Sequence, residues 1–386
     1  MKGSLFMKKF SWKTLSLLLV CIAMTLITIS DTGFQLLIMK YAGFSSSILR
    51  KFGLLLLFIK FAGTRYTKKE FFILLPLMIL SLYNYQISGN IYCFYNVMIV
   101  ACMKDMDYTK LFRCLFFSTF AAAVVIGLLS FLGIGDVVSL TEDFGSNGIE
   151  TRYCFGLYHP NLWHQAVSRC IVFFALGYFE QLRFRGLLIL FVINLAAFAC
   201  SLSRTGLLAG SAFILLMILY KCKPKFMQSL FAKITVFSVA LCAYGSYLLM
   251  LMDYLTFPGS LSKFFNRYFA TGRVGQASLY IAKNPIRLFG TRFPDDGKVF
   301  DCGFLRMLSE SGYLLGGIFL ICLFVLLCQS LKNNWGHVTA AIILIILYSL
   351  YEVFPLTRAP YNIPVFYFGL LLYPHLKKQL QKIPDE

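Results

Sequence analysis

The chain has 386 residues, of which 59% are hydrophobic and only 14% are charged, and its mean hydropathy is +0.73. Soluble domains carry about 25% charged residues, and one or two soluble cores could not bury this much Leu, Ile, Phe and Val. These proportions exclude an ordinary soluble protein and predict that lipid surrounds most of the chain.

The formal net charge of +19 is high enough for a protein that binds polyanions. The Lys and Arg residues, however, stand in short clusters between apolar runs and not along one amphipathic face. Such clusters mark the cytoplasmic connections of membrane proteins. We therefore expect no nucleic-acid partner.

Twelve apolar stretches approach the roughly 20 residues that a membrane crossing requires. The run that begins at Leu15 is too long for a cleavable signal peptide and is expected to stay as an anchor. The second stretch is the weakest, because Arg50 and Lys51 lie in it. The stretches cover residues 14–30, 44–62, 70–86, 88–103, 112–133, 160–179, 186–202, 204–220, 233–252, 303–330, 338–356 and 360–375. The predicted fold is an all-α polytopic membrane protein with about 12 spans (range 10–12) in one domain, residues 1–386.

The charges alternate across these predicted connections. If the N-terminus lies inside, 21 of the 36 basic residues but only 6 of the 17 acidic ones fall in internal connections. The positive-inside rule then favours an even number of spans, with both termini in the cytoplasm. The expected location is the cytoplasmic (inner) membrane.

Two external connections are longer than a hairpin requires, at residues 133–158 and 253–301. The second is the largest hydrophilic segment, and we expect short interfacial helices in it. It carries seven basic residues, against the positive-inside trend. A role other than topology is therefore expected for these side chains.

The segment 151–161, TRYCFGLYHPN, precedes the sixth predicted span. Pro160 suits the first turn of a helix, so His159 is predicted at its N-terminus, where free N–H groups favour an anion and a neutral imidazole. His159 can then act as a base. The alternative is that His159 and Asn161 only cap the helix, and the segment alone does not decide between the two.

Ser203 and Arg204 lie between two apolar spans with almost no loop between them. An Arg at that depth is costly unless it reaches the interface or a negative partner, so it is a functional candidate. The alternative is that Ser203 caps the eighth span while Arg204 contacts lipid phosphates.

In the large loop, aromatic residues alternate with basic ones up to Arg267, Arg273 follows in a turn, and residues 284–285, Asn-Pro, end a short helix. Asp301 precedes a long apolar span. For Asp301 alone a helix N-cap is the favoured interpretation. A carboxylate beside several guanidinium groups could also orient a sugar or accept a proton.

Glu352, Arg358 and Asn362 flank the last external turn. An unpaired buried carboxylate is expensive, so we expect an Arg partner for Glu352. A structural Glu–Arg pair and a substrate contact are both consistent with the sequence.

Cysteine and motif patterns give no sign of metal or nucleotide chemistry. The twelve cysteines are scattered, without a CxxC pair, and the chain contains no HExxH, P-loop or GxSxG motif. A bridge between Cys154 and Cys302 is the one disulfide considered, and free thiols are favoured. No cofactor is expected.

The order of these short motifs resembles the Wzy-type polysaccharide polymerases, which belong with the O-antigen ligases in one membrane superfamily. The resemblance covers roughly residues 150–365. It is carried by residues 152–161, 201–206 (SLSRTG), 271–273 (TGR), 284–286 (NPI), 288–290 (LFG) and Asp301.

The resemblance implies a metal-independent glycosyltransferase of the GT-C type that joins undecaprenyl-pyrophosphate-linked repeat units at the outer face of the cytoplasmic membrane. Arg204 and Arg273, with Arg152 and Arg267 as helpers, would hold the pyrophosphate, because Arg binds phosphate without a metal. The implied catalytic residue is His159, with Asp301 as its substitute. The full substrate-binding set is Arg152, Asn161, Ser203, Arg204, Arg267, Arg273, Glu352 and Arg358.

Expected partners are the lipid-linked oligosaccharide, the bilayer, a chain-length regulator and a flippase. Two alternatives remain, an O-antigen ligase and a transporter (flippase) of lipid-linked oligosaccharides. Ligases of the superfamily are expected to use a His in the large loop, and no His lies between residues 253 and 301. A transporter of lipid-linked sugars would show two related halves, and none is evident.

Overall fold

A computed structural model describes residues 11–30, 45, 47–134, 137–144, 148–256, 259, 263–264, 266, 272–292 and 301–380. These residues are nearly all α-helical, and the only sheet that they form has two strands. Arg267, most of residues 257–271 and all of residues 293–300 lie outside the described residues.

The helices are α1 Trp12–Ser30, α2 Ser47–Ala62, α3 Lys68–Ser88, α4 Tyr92–Cys102, α5 Tyr108–Phe131, α6 Pro160–Gly177, α7 Phe184–Ser201, α8 Arg204–Cys222, α9 Pro224–Gln228, α10 Leu230–Thr256, α11 Arg273–Lys283, α12 Gly303–Lys332, α13 Gly336–Ser349, α14 Phe354–Thr357, α15 Ile363–Leu372 and α16 Pro374–Leu380.

Six helices of the described chain are long and apolar enough to cross a membrane, namely α1, α3, α5, α7, α8 and α12. Shorter apolar helices are α4, residues 230–245 of α10, α13 and α15. A helix overlaps each of the twelve predicted stretches, with ends that differ by several residues, and the nearly all-α fold is confirmed, whereas the number of membrane spans stays a prediction. Length and composition make the chain compatible with a membrane protein.

Several helices begin where the sequence supplies a cap. Thr67 and Glu70 form a capping box at the start of α3, and Asp107 accepts a hydrogen bond from the backbone N–H of Lys110 at the start of α5. Each cap satisfies backbone N–H groups that have no partner within the helix. The boundaries near residues 68 and 108 are therefore set by local sequence.

The apolar core contains aromatic rings that pack against one another between α5 and α15. The ring of Phe112 lies 6.0 Å from that of Phe366 and 5.4 Å from that of Tyr367. These side chains are almost fully buried. Packing of large rings in the middle of the bundle fixes the helices that carry the polar residues at its ends.

The connection at residues 133–158 contains a hairpin that the sequence analysis did not predict. Strands β1 (Ser139–Asp143) and β2 (Ile149–Tyr153) pair antiparallel, with Thr141 opposite Thr151. The hydroxyl groups of these two residues lie 2.8 Å apart. We call the end of the bundle that bears this hairpin and α11 the loop end.

Helix α12 is broken at Gly312, which has φ 72° and ψ 173°. The segment 287–291 fills the break, since the N–H groups of Tyr313 and Leu314 donate to Arg287 O and Leu288 O at 2.9 and 3.1 Å. The N–H of Thr291 donates to Ser309 O at 2.8 Å. The backbone groups freed by the break are thus satisfied by a neighbouring segment, as a membrane environment requires.

Two glycines allow this contact. A Cβ on Gly290 would lie 1.8 Å from Glu310 O, and a Cβ on Gly312 would lie 2.3 Å from Leu288 O. No side chain fits at either position, and the positive φ of Gly312 also disfavours other residues. The LFG motif at residues 288–290 therefore has a structural reason.

Candidate active site

Glu352 is the buried centre of a polar cluster at the loop end. It lies beyond the end of α13 and is 5% exposed. The side-chain amide of Asn161 donates to its Oε1 at 2.8 Å, and that of Gln165 donates to its Oε2 at 3.3 Å. Both amides project from α6, one turn apart, which is the spacing that places two side chains on one helix face.

Arg273 connects Glu352 to Asp301. Its Nε donates to Asp301 Oδ2 at 3.3 Å, and its Nη2 lies 3.9 Å from Glu352 Oε1. The expected Arg partner of Glu352 is therefore present. Arg273 is the first residue of α11, where Gly272 takes a left-handed conformation at the N-cap with φ 84°.

The interpretation of Asp301 as a helix N-cap is wrong. Cys302 occupies the N-cap position of α12, and the described hydrogen bond of Asp301 goes to Arg273. The Asp301 carboxylate is 45% exposed, while the guanidinium side chain of Arg273 is 21% exposed. An accessible carboxylate is thus held beside a guanidinium, which was the second interpretation of the sequence.

Burial in this cluster raises the pKa of Glu352 to about 8. The positive charge of Arg273 opposes that rise, and the negative charge of Asp301 adds to it. At neutral pH Glu352 is therefore mostly protonated and can donate a hydrogen bond, while Asp301 is the more exposed carboxylate.

His159 is the N-cap of α6, and its Nδ1 accepts the backbone N–H of Asn161 at 3.2 Å. Burial lowers the pKa of His159, against the opposing charges of Asp301 and Glu142. A neutral ring with Nδ1 as acceptor carries its proton on Nε2. This tautomer, inferred from the hydrogen bond, presents a donor and favours the capping interpretation over that of a base.

Arg152 lies next to this cluster on β2. Its Nε and Nη2 donate to Glu150 Oε2 at 3.0 and 2.8 Å, and its guanidinium lies 4.0 Å from the ring centroid of Phe144. The same ring meets that of His159 edge to face at 6.2 Å. The hairpin therefore brings Arg152 to the loop end, with part of its charge engaged by Glu150.

Ser203 and Arg204 are placed at the start of α8. Ser203 occupies the N-cap position, but its side chain makes no capping bond, and its buried Oγ has no hydrogen-bond partner among the described residues. Arg204 is exposed. No described contact joins either residue to Glu352 or Arg273, so their predicted membership of one site stays a prediction.

Several buried polar residues on α6 were not predicted from the sequence. Gln165 holds Glu352, and Arg169 lies one turn further along, 5% exposed, with its guanidinium 3.8 Å from the ring centroid of Tyr361. The spacing of Asn161, Gln165 and Arg169 at i, i+4 and i+8 was the available signal, since it marks one polar face on a helix predicted to be apolar.

His164 forms a separate buried network that holds α6 against α7. Its Nδ1 lies 3.0 Å from Ser201 Oγ, and its Nε2 lies 3.1 Å from Asn194 Oδ1. Asn194 also donates to Leu207 O and to Ser211 Oγ, each at 3.2 Å. These bonds satisfy polar groups inside the bundle, and we assign them to structure.

A second polar cluster surrounds Glu310 on α12. Its carboxylate pairs with Arg306 and accepts from the side chain of Asn90. Asn84 donates to Glu310 O at 2.9 Å and accepts from the N–H of Gly290 at 2.7 Å. The cluster thus joins the end of α3 and the start of α4 to the break in α12.

Arg358 is half-buried and precedes the 3₁₀ turn Ala359–Tyr361. Its predicted place in one site with Glu352 stays a prediction.

The described residues contain no group of three or more His, Cys, Asp or Glu side chains that could hold a metal ion. No disulfide joins Cys154 to Cys302, and the thiol of Cys154 donates to Val137 O at 3.1 Å. What the first cluster can do chemically is bind a polar or anionic group at Arg273, with carboxyl groups at Asp301 and Glu352 beside it.

Comparisons with protein-family models, curated proteins and solved structures found no match to the chain.

Proposed function

We propose that the protein polymerises undecaprenyl-pyrophosphate-linked oligosaccharide repeat units at the outer face of the cytoplasmic membrane. The observation that carries the proposal is the position of Arg273 between Asp301 and Glu352 at the loop end of an apolar helix bundle. A guanidinium beside carboxyl groups can hold a phosphorylated sugar donor and a hydroxyl acceptor together.

In the proposed reaction, the bond between the anomeric carbon of the growing chain and its phosphate oxygen breaks. A hydroxyl oxygen of the incoming repeat unit bonds to that carbon, and undecaprenyl pyrophosphate leaves. Arg273 stabilises the negative charge that develops on the leaving group. Asp301 accepts the hydroxyl proton, because its carboxylate is accessible and adjoins Arg273.

Glu352 has a positioning role in this proposal. As a mostly protonated acid fixed by Asn161 and Gln165, it holds α6 and α11 in register around the substrate. Arg152 and Arg204 are proposed to attract the pyrophosphate from the hairpin and from α8. No metal is required, because guanidinium groups can take the part of the cation.

The proposed topology has about twelve spans, both termini in the cytoplasm, and a GT-C-like arrangement with the loop end outside. It is supported by the overlap of each predicted stretch with a helix. The basic connections alternate with the loop-end ones along the chain, as the positive-inside rule requires. A tag at the C-terminus that is reached from outside intact cells would contradict this topology.

A deletion strain tests the proposed function. Loss of a polymerase leaves surface glycan with a single repeat unit, while the wild-type gene restores the ladder of chain lengths. A normal ladder in the deletion strain would rule the proposal out. Long chains that accumulate without transfer to their final acceptor would identify a ligase instead.

One observation favours a second candidate, a transporter of lipid-linked oligosaccharides. Transporters often contain broken helices at their substrate sites, and α12 is broken at Gly312. Purified protein in vesicles decides between the two. Movement of lipid-linked sugar across the bilayer without extension of the glycan supports transport, and extension without movement supports polymerisation.

A further inference from the structure

A groove of about 640 Å³ lies between the end of α2 and the start of α3. Sites for small organic ligands measure about 300–1,000 Å³, so the groove is larger than one ion or one water molecule requires. Its lining is polar in the connection and aromatic on the two helices, and includes Phe61, Thr64, Tyr66, Lys68, Phe71 and Phe72.

Hydrogen bonds fix the connection that forms the groove. The ammonium group of Lys60 donates to Thr64 Oγ1 at 2.7 Å, and the hydroxyl of Tyr66 donates to Ala101 O at 3.1 Å. The ring of Tyr66 also lies 5.0 Å from that of Phe61. The groove is therefore formed before any ligand arrives, which lowers the entropic cost of binding one.

The groove lies at the end of the bundle opposite the loop end. Its connection contacts Ala101, close to the start of α5, whereas α5 ends next to the hairpin. A Cβ on Gly63 in this connection would lie 2.2 Å from the ring of Trp12, which is 41% exposed at the start of α1. Since Trp is enriched where a bilayer meets water, the groove lies at the level of the lipid head groups.

The connection and the first turn of α3 carry an excess of positive charge. Arg65, Lys68 and Lys69 are exposed, and within the described part of the chain no ion pair joins them to a carboxylate. The nearest acidic residue in sequence, Glu70, is engaged elsewhere, because its Oε2 lies 2.5 Å from Lys104 Nζ. The charge of the groove therefore favours an anion.

The aromatic part of the lining favours hydrocarbon. Phe71 is 43% exposed and Phe72 is 74% exposed, and both follow Lys68 and Lys69 directly along α3. A water-soluble anion would leave these rings without a partner, and a zwitterionic lipid would gain little from the lysines. A phospholipid with a net negative head group matches both parts of the lining.

We infer that the groove between α2 and α3 binds one anionic phospholipid of the surrounding bilayer. Its phosphodiester lies at Arg65 and Lys68, and an acyl chain lies along Phe71 and Phe72. The inference depends on a membrane location and not on the proposed reaction. The glycan ladder of the deletion strain therefore tests the reaction separately from this site.

A photoreactive lipid tests the site. The probe is phosphatidylglycerol with a diazirine on one acyl chain, added to the full-length protein in nanodiscs of phosphatidylcholine. We expect the label on Phe61, Phe71 and Phe72, and its loss with excess unlabelled phosphatidylglycerol. Glycerol 1-phosphate, which has the anionic head without chains, should not compete. The same diazirine on phosphatidylcholine should label these residues several-fold less.

A charge-removing variant provides the second arm. The double change Arg65→Gln and Lys68→Gln should reduce labelling roughly tenfold, equivalent to about 1.4 kcal/mol of binding free energy. Arg183→Gln with Arg185→Gln is the matched control, because it removes two exposed cations at the same end of the bundle that do not line the groove. Its labelling should equal that of wild type.

A groove-filling variant separates binding in the groove from general attraction to an anionic surface. Ala62→Phe leaves every charge in place at an exposed lining position, and it should also reduce labelling. Val192→Phe, at an exposed position of α7, should not. Equal labelling by the phosphatidylcholine probe, an equal loss in the Arg183 and Arg185 control, or full labelling of folded Arg65→Gln, Lys68→Gln protein would overturn the inference.

Discussion

The side-chain amide of Asn161 donates to Glu352 Oε1 at 2.8 Å, which joins the start of α6 to the end of α13 across 191 residues of chain. Arg273 approaches the same oxygen from α11 at 3.9 Å. Three segments that are distant in sequence thus meet at one carboxyl group. The loop end therefore has a fixed polar centre at Glu352.

The first prediction concerns the pH dependence of stability. Because folding raises the pKa of Glu352 from 4.5 to about 8, the folded state binds a proton that the unfolded state releases between these values. The stabilisation of the folded state by this bound proton is complete below pH 4.5 and is lost as pH rises through 8. Replacing Glu352 by Gln removes this pH dependence. The Tm of Glu352→Gln should therefore rise relative to that of wild type as the pH increases from 5 to 9.

Thermal unfolding of the purified proteins in detergent measures this difference. Glu142→Gln is the matched control, since it alters an exposed carboxylate on β1. Its Tm should follow that of wild type at every pH. Parallel curves for Glu352→Gln and wild type would show that the carboxyl group titrates as if it were in water.

The second prediction separates the two roles proposed for His159. Asn is a good helix N-cap, so His159→Asn keeps a side-chain acceptor for the N–H of Asn161. We expect this variant to retain most of the chain-length ladder, because the accepting Nδ1 is already occupied. Asp301→Asn should lose long chains. The opposite pattern would make His159 the base and remove that role from Asp301.

The third prediction concerns the contact at the break in α12. Gly290→Ala and Gly312→Ala should each destabilise the protein by about 2 kcal/mol or more, since each Cβ meets backbone atoms. Gly317→Ala is the control on the same helix, because a Cβ there meets nothing within 4 Å. Fluorescence-detected gel filtration after heating compares the three. Equal survival of all three variants would mean that the segment 287–291 does not need to pack against the break.

Helix positions could be predicted from the sequence because each stretch carries its own signal. The run at residues 206–220 contains no charged residue, and caps such as Thr67 and Asp107 mark the starts of α3 and α5. The hairpin at residues 139–153 was missed because five-residue strands with charged side chains resemble a loop. Its pairing depends on contacts between segments and not on a local pattern.

The candidate site was only partly predictable for the same reason. Asn161, Arg273, Asp301 and Glu352 were selected singly, and their mutual contacts required the fold. Gln165 was overlooked because a buried amide inside a helix has no short motif. The N-cap at residue 301 was mispredicted because the local rule for Asp before a helix competes with a distant partner, Arg273, which the rule cannot include.

The central claim is that Arg273 supports the joining of lipid-linked repeats. It is tested most directly by incubating purified protein with lipid-linked repeat units and measuring product length. Arg273→Ala should yield almost no products beyond one repeat, Arg273→Lys should yield few, and Lys283→Ala, a change at an exposed position on the same helix, should match wild type. A wild-type product distribution from folded Arg273→Ala would contradict the account.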